Sequence, residues 1–218
     1  MFDLDGTLVD TSGDIVRAAN YVRSVEGLMP LTDEEILAAV GRGARWLVRE
    51  VTDIGEEDKE RLDALVSTYS GYYRRHQTEH SRPYPGVAEA LASLGRRFDL
   101  YVLSNKPKEA VVREVTRHGL APFLREVFGG GSFGGLKPDP SGVLHALEAS
   151  GVPAARGIMV GDLAIDLETG IAAGVSTCFA AWGFSELKAD DPEPTIRIES
   201  IAELEPRIEE LWGLGDAV

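Results

Sequence analysis

One cysteine in 218 residues, Cys178, leaves no partner for an internal disulfide, and a reducing compartment is the simplest reading. Positive charge is scarce as well. Lys and Arg number 22 against 36 Asp and Glu, a formal charge of -14. So acidic a surface disfavours nucleic acid and anionic membrane as partners. It also exerts no diffuse pull on a phosphate ester, so an anion site here must be built locally. No apolar run approaches the length of a membrane span, and a signal peptide is not expected where Asp3 and Asp5 open the chain. Internal repeats and low-complexity tracts are missing. Of the histidines, His76 and His80 fall at helical spacing without a third ligand, and with His118 and His145 they read as ordinary helix-face residues. The plain reading of these absences is a cytoplasmic globular protein, and a monomer or homodimer is expected.

What is present is enough to fold. Hydrophobic residues make up 44% and charged residues 27%, so a chain of this length can bury a sizeable core in one large domain or two small ones. Short apolar runs read as strands: Asp99-Leu100-Tyr101-Val102-Leu103, Val127-Phe128, Gly157-Ile158-Met159-Val160 and Ser176-Thr177-Cys178-Phe179-Ala180. Amphipathic helical patterns fall between them, near 86–94, 108–118, 140–150 and 163–173, with Pro140 in a first turn and a closing helix at 201–212. Strands alternating with helices imply right-handed crossovers and a parallel, Rossmann-like α/β sheet covered on both faces.

Residues 12–82 break that rhythm and read as helices alone, at 13–23, 33–40, 42–51 and 56–80. Thr32-Asp33-Glu34-Glu35 has the form of a capping box. Arg82-Pro83-Tyr84-Pro85-Gly86 then forms a stiff hinge back into the α/β pattern. The expected organisation is a core built from 1–11 and 83–218 with an all-helical insert at 12–82. Met1-Phe2 is a short lead into the Asp pair, since a buried central strand usually runs about 5 residues. The first strand is therefore expected to be stunted or incomplete.

In open α/β sheets, ligands bind at the carboxyl ends of the strands. The polar residues at those ends are Asp3 and Asp5, then Ser104-Asn105-Lys106, then Lys137 past a glycine cluster, then Gly161-Asp162 with Asp166 four residues on. Asp3 and Asp5 alternate along a strand and face one way. With Asp162 they form a cluster of hard oxygens that needs a cation, and magnesium suits one or two carboxylates, waters and a substrate phosphate. A carboxylate can attack phosphorus, and a second can protonate the leaving oxygen and later activate water. Lys137 supplies a point charge and Ser104 a hydroxyl, in a reaction governed by charge neutralisation. Each member has a plainer reading: a turn for Asp5-Gly6-Thr7, a helix cap for Ser104, a solvated lysine for Lys137. The specificity lies in the ordered set, each member after its own strand.

These motifs resemble those of the haloacid dehalogenase superfamily of phosphohydrolases. Asp3-Leu4-Asp5-Gly6-Thr7-Leu8-Val9-Asp10 is similar to its first motif, Ser104 to its second, Lys137 to its third and Gly161-Asp162 to Asp166 to its fourth. The helical insert is similar to a cap between motifs one and two. Leu103-Ser104-Asn105-Lys106-Pro107 and the stretch from Gly129-Gly130 to Pro140 most resemble the phosphoglycolate phosphatase branch. The resemblance implies that Asp3 is nucleophile and Mg2+ ligand. It makes Asp5 the general acid/base and a ligand through its carbonyl, and Asp162 the third ligand. Asp166 would orient water or Lys137, while Ser104, Asn105 and Lys137 hold phosphoryl oxygens. Asp10 and Ser12 fall where the hinge enters the cap. The fourth motif departs from the family pattern at Leu163 and at Glu168-Thr169.

The expectation is a Mg2+-dependent phosphatase of a small phosphate monoester, 2-phosphoglycolate foremost, acting through an aspartyl-phosphate. Asp5 separates it from dehalogenases and phosphonate hydrolases, and Lys59 is the one lysine of the insert. A sugar-phosphate mutase would share the same catalytic set, and a non-catalytic binding protein could share the fold. Within Gly41-Arg42-Gly43-Ala44-Arg45, Arg42 or Arg45 is expected to meet a second anionic group of the substrate, unless the turn is simply a solvated helix start.

Overall fold

The computed structural model describes residues 1–214. At the start of the chain, Phe2 is bridged in parallel to Val102 on one side and Val160 on the other. The Phe2 amide donates to the Tyr101 carbonyl (2.8 Å) and the Leu103 amide to the Phe2 carbonyl (2.8 Å). On the other flank the Asp3 amide donates to Val160 (2.8 Å) and the Val160 amide to Met1 (2.9 Å). The stub is short, as expected, yet hydrogen-bonded on both edges, so its backbone groups are satisfied within the sheet.

The chain leaves it through a tight loop into β1 (Val9–Asp10) and then α1 (Ser12–Val25). Next come α2 (Asp33–Leu37), α3 (Ala44–Thr52), α4 (Lys59–His76) and β2 (Arg82–Pro83). After them follow α5 (Val87–Leu94), β3 (Tyr101–Pro107), α6 (Lys108–Arg117), β4 (Glu126–Gly130) and α7 (Ser141–Ser150). The last elements among the described residues are β5 (Ile158–Gly161), α8 (Ala164–Ala172), β6 (Ser176–Ala180), β7 (Ile196–Ile198) and α9 (Leu204–Trp212). Through the Phe2 bridges the sheet runs β4, β3, the Met1–Asp3 stub, β5, β6, β7, and all its pairings are parallel. β7 is an addition to the sequence reading, because three residues carry too little alternation to register as a strand.

Alternation explains the two faces. Val102 and Val160 point to the face covered by α5, α6 and α9, with Leu91, Val115 and Ile208. Tyr101, Leu103 and Met159 point to the other, with Phe128 and Val143. Fully buried residues such as Met159 and Leu91 contribute about 1.5–3 kcal/mol each on leaving water.

The α1–α4 helices close around a core of their own. Ile15, Ala18, Ala19 and Val22 on α1 meet Leu62, Leu65, Tyr69 and Tyr73 on α4, positions three or four apart that form one stripe. The expected capping box is present, with the Glu35 amide donating to Thr32 Oγ1 (3.3 Å) and the Thr32 amide to Glu35 (2.8 Å). α4 ends at His76 rather than at 80, because Gln77 turns extended and Thr78 adopts a positive φ of 72°. His80 is therefore not on a helix. α3 likewise starts at Ala44, since Gly41 and Gly43 take φ values of 112° and 89°. The antiparallel β1–β2 ladder pairs Val9 with Pro83 and Asp10 with Arg82, and so brackets the helical insert.

Candidate active site

The carboxyl ends of the parallel strands meet at one edge, and the tight loop after the stub makes that possible. Gly6 has a φ of 82°, and a Cβ there would come within 2.2 Å of Asp162 Oδ2. Glycine is thus required twice, for the backbone angle and for the approach of Asp162. Thr7 Oγ1 then donates to Asp162 Oδ1 at 2.6 Å, and the Phe184 amide donates to Asp162 Oδ2 at 2.9 Å.

Asp3, Asp162 and Asp166 each offer a carboxylate oxygen, all within 4.8 Å of one another and all buried. Lys137 lies among them, its Nζ donating to Asp166 Oδ1 (2.6 Å) and standing 2.8 Å from Asp3 Oδ1. Asp3 Oδ1 is nevertheless buried without a hydrogen bond of good geometry. Burial pushes the Asp3 carboxyl well above its usual range against the pull of Lys137, and Asp166 and Asp162 add to the rise. Asp162 is raised to about 7, by burial first and by Asp166 next. Burial alone would lower the Lys137 ammonium, but Asp166 and Asp3 outweigh it and leave Lys137 more firmly protonated. Three carboxylates against one ammonium leave two negative charges uncompensated when all are ionised. An all-oxygen, acidic and partly unsatisfied donor set of this kind fits a hard divalent cation.

Asp5 lies just outside that trio. Its Oδ1 accepts from Thr11 Oγ1 (2.6 Å) and pairs with the Lys106 ammonium, and Ser104 Oγ reaches its Oδ2 at 3.4 Å. Lys106 is raised in pKa despite burial, because the Asp5 carboxylate faces it. Asp10 accepts from the amide (3.0 Å) and hydroxyl (2.6 Å) of Ser12, which fixes the entry to α1.

Two sequence expectations need revision. The Asn105 side chain is not free for phosphate. It donates to the Gly41 carbonyl (2.8 Å) and the Lys137 carbonyl (3.0 Å) and accepts from the Lys137 amide (2.7 Å). Its carboxamide instead ties the 41–43 turn and the Lys137 loop to the end of β3. Arg42 and Arg45 do not line the cavity beside Asp3. Arg42 lies over the Trp46 ring at 5.3 Å, and Arg45 is paired on the surface with Glu56 (3.0 Å) and Asp63. A helix start with acidic neighbours across the surface turns its arginines outward.

That cavity, of about 300 Å³, has Asp3, Asp5, Ser104, Lys106 and Lys137 among its lining residues. Ile15, Leu47, Tyr69 and Tyr73 from the helical insert supply apolar wall, and Leu163 adds to it from the start of α8. Arg74 and Arg113 contribute as exposed residues. The sequence reading placed Lys106 beside Ser104 and Asn105 but gave it no task. Tyr69 and Tyr73 were hidden by their helical spacing, which marks core and cavity wall alike.

The arrangement can therefore present a carboxylate, an ammonium and a hydroxyl to a tetrahedral anion. Known proteins share this chain's sequence pattern and its fold. The sequence model of the haloacid dehalogenase-like hydrolases matches residues 1–180. A phosphoglycolate phosphatase of Agrobacterium fabrum is 32% identical over 214 residues, 95% of this chain and 91% of that protein. Another, from Caulobacter vibrioides, is 36% identical over 188 residues, 85% of this chain and 79% of that protein. The crystal structure of a predicted phosphoglycolate phosphatase from Haemophilus somnus superposes with a TM-score of 0.86 at 25% identity, covering 94% of this chain and 95% of that one. The chain belongs to the haloacid dehalogenase-like hydrolases, as a phosphoric monoester hydrolase of the phosphoglycolate phosphatase-like branch.

Proposed function

We propose that the protein hydrolyses a small phosphate monoester, with 2-phosphoglycolate the leading candidate, by passing the phosphoryl group through Asp3. The observation that carries this reading is Asp3 Oδ1, buried at the cavity without a hydrogen bond and 2.8 Å from the Lys137 ammonium. Attack requires the ionised form of Asp3, which the Lys137 ammonium favours against the effect of burial. The names of the similar phosphatases favour 2-phosphoglycolate among candidate esters.

In the first step an Asp3 oxygen bonds to phosphorus as the bond to the ester oxygen breaks. Asp5 must enter this step in its acid form, and it gives that proton to the departing alkoxide, which leaves as an alcohol. In the second step the Asp5 carboxylate takes a proton from water, whose oxygen attacks the aspartyl-phosphate and frees Asp3 and inorganic phosphate. Lys137 and the Ser104 hydroxyl hold phosphoryl oxygens through both steps. Asp3 and Asp162, with Asp166 beside them, would hold Mg2+, and Asp5 would join through its carbonyl. When bound, Mg2+ supplies the positive charge that the carboxylates and the transferring group need. In this reading residues 12–82 form the cap, and 1–11 with 83–218 form the catalytic core.

The test is phosphate release from a panel of 2-phosphoglycolate, hexose phosphates, nucleotides and pyrophosphate, with Mg2+ and with excess chelator. Release that needs Mg2+, favours 2-phosphoglycolate and disappears in Asp3→Asn is the expected result. Folded protein that releases phosphate from none of them, yet interconverts hexose phosphates, would be a mutase and would sink the proposal.

A further inference from the structure

Phosphoryl transfer as drawn above uses Lys137 and leaves Lys106 without a part. Its surroundings are nevertheless those of a working group. The Lys106 side chain is 9% exposed and lines the cavity. Its ammonium pairs with Asp5 and stands 4.8 Å from the centre of the Tyr73 ring. An ammonium carries three donors. Among the described residues Asp5 is its one ion-pair partner, the Tyr73 ring faces it, and the buried Glu114 carboxylate adds to the pull of Asp5 without pairing with it. An acceptor entering the cavity would therefore find N–H groups that the protein does not use.

Resting on the phosphatase reading, we infer that Lys106 binds a carboxylate on the leaving portion of the substrate and selects phosphorylated short-chain hydroxy acids. Spacing supports this class. Asp3 and Asp5, two residues apart, each hold one of the two lysines, so phosphoryl site and second cation are close together. A cavity of about 300 Å³ leaves room for a short spacer between the two anions. A lone ammonium suits a carboxylate better than a second phosphate, whose oxygens call for more donors. Arg74 and Arg113 are weaker candidates for the same task. Both are exposed, and Arg113 spends a donor on the Arg74 carbonyl at 2.8 Å. Exposed cations discriminate little, because water competes for the anion, whereas a desolvated ammonium does not share it.

The discriminating quantity is a ratio, kcat/KM for 2-phosphoglycolate divided by kcat/KM for ethyl phosphate, which has the same ester carbon and no carboxylate. The wild type is expected to favour 2-phosphoglycolate, and Lys106→Met to reduce that preference by about 30-fold, the weight of a charge-assisted hydrogen bond. Lys106→Arg keeps the charge and is expected to retain part of the preference. A merely structural role, through Asp5 or Tyr73, would slow both esters equally and leave the ratio unchanged, which overturns the inference. If Lys106→Met fails to fold, Lys106→Gln gives the same comparison. A wild type that hydrolyses both esters equally well also overturns it while leaving the phosphatase reading intact, whereas inactivity on every ester strikes that reading instead.

Discussion

Asp3, Asp162 and Asp166 are identical in kind, yet the structure gives each a different load. Asp162 is fully satisfied by Thr7 and Phe184, Asp166 by Lys137 and the Leu163 amide (3.1 Å), and Asp3 has the unsatisfied oxygen. Crowding has a pH consequence. The unfolded chain releases the Asp162 proton near pH 4, whereas the folded, metal-free protein keeps it to about pH 7. Between those values the folded state binds more protons, so the stability due to this group falls as pH rises, and its contribution is fully lost above about pH 7. A divalent cation must displace that proton. Mg2+ is therefore expected to raise the melting temperature more at pH 8 than at pH 5.5, and to release protons on binding at pH 6. Thermal shifts of equal size at both pH values, with no proton release, would contradict this electrostatic picture. The identities of these carboxylates were legible from the sequence, because Asp3 closes the first strand and Asp162 and Asp166 both follow β5. Their division of labour was not, because it depends on a few ångströms between loops far apart in the chain.

The elements that join insert to sheet are held by a second buried carboxylate cluster. Asp14 on α1 accepts from the amides of Thr78 (2.9 Å), His80 (2.9 Å) and Ser81 (3.2 Å). Glu114 on α6 accepts from Ser81 Oγ (3.0 Å) and Tyr73 (3.1 Å), with His118 at 3.3 Å. This network holds Thr78 at a φ that a β-branched residue rarely adopts. Asp14→Ala would strand three backbone donors, and a loss of about 2–4 kcal/mol is expected in denaturant unfolding, at the upper end for unpaired buried groups. A loss under about 0.5 kcal/mol would mean that water replaces the carboxylate without penalty. Helices were legible here by periodicity, and the capping box at Thr32 by composition. The ends of α4 and α3 were not, because single residues, Thr78 and Gly43, adopt left-handed angles that propensity does not foresee.

Across the whole molecule the buried apolar residues divide between the helical insert and the two faces of the sheet. Leu62 and Met159 are both 0% exposed, one in each part. Leu62→Ala should remove about 2–5 kcal/mol. Hydrogen exchange should quicken in α1–α4 more than in β3 and β5, since local opening follows local packing. Met159→Ala should reverse that order. Uniform acceleration in both variants would show that insert and sheet unfold as one unit. The sequence by itself determined the α/β alternation, the helical insert and the order of Asp3, Asp5, Ser104, Lys137 and Asp162 along the chain. All of these rest on local periodicity and on the rule that parallel strands end at one edge. Tertiary structure alone decided that the Met1–Asp3 stub is hydrogen-bonded on both edges, that Asn105 clamps loops, that Arg42 and Arg45 face outward, and that Lys106 lines the cavity beside Asp5. Those outcomes depend on which distant atoms compete for the same donor or the same space, and no local pattern records that competition.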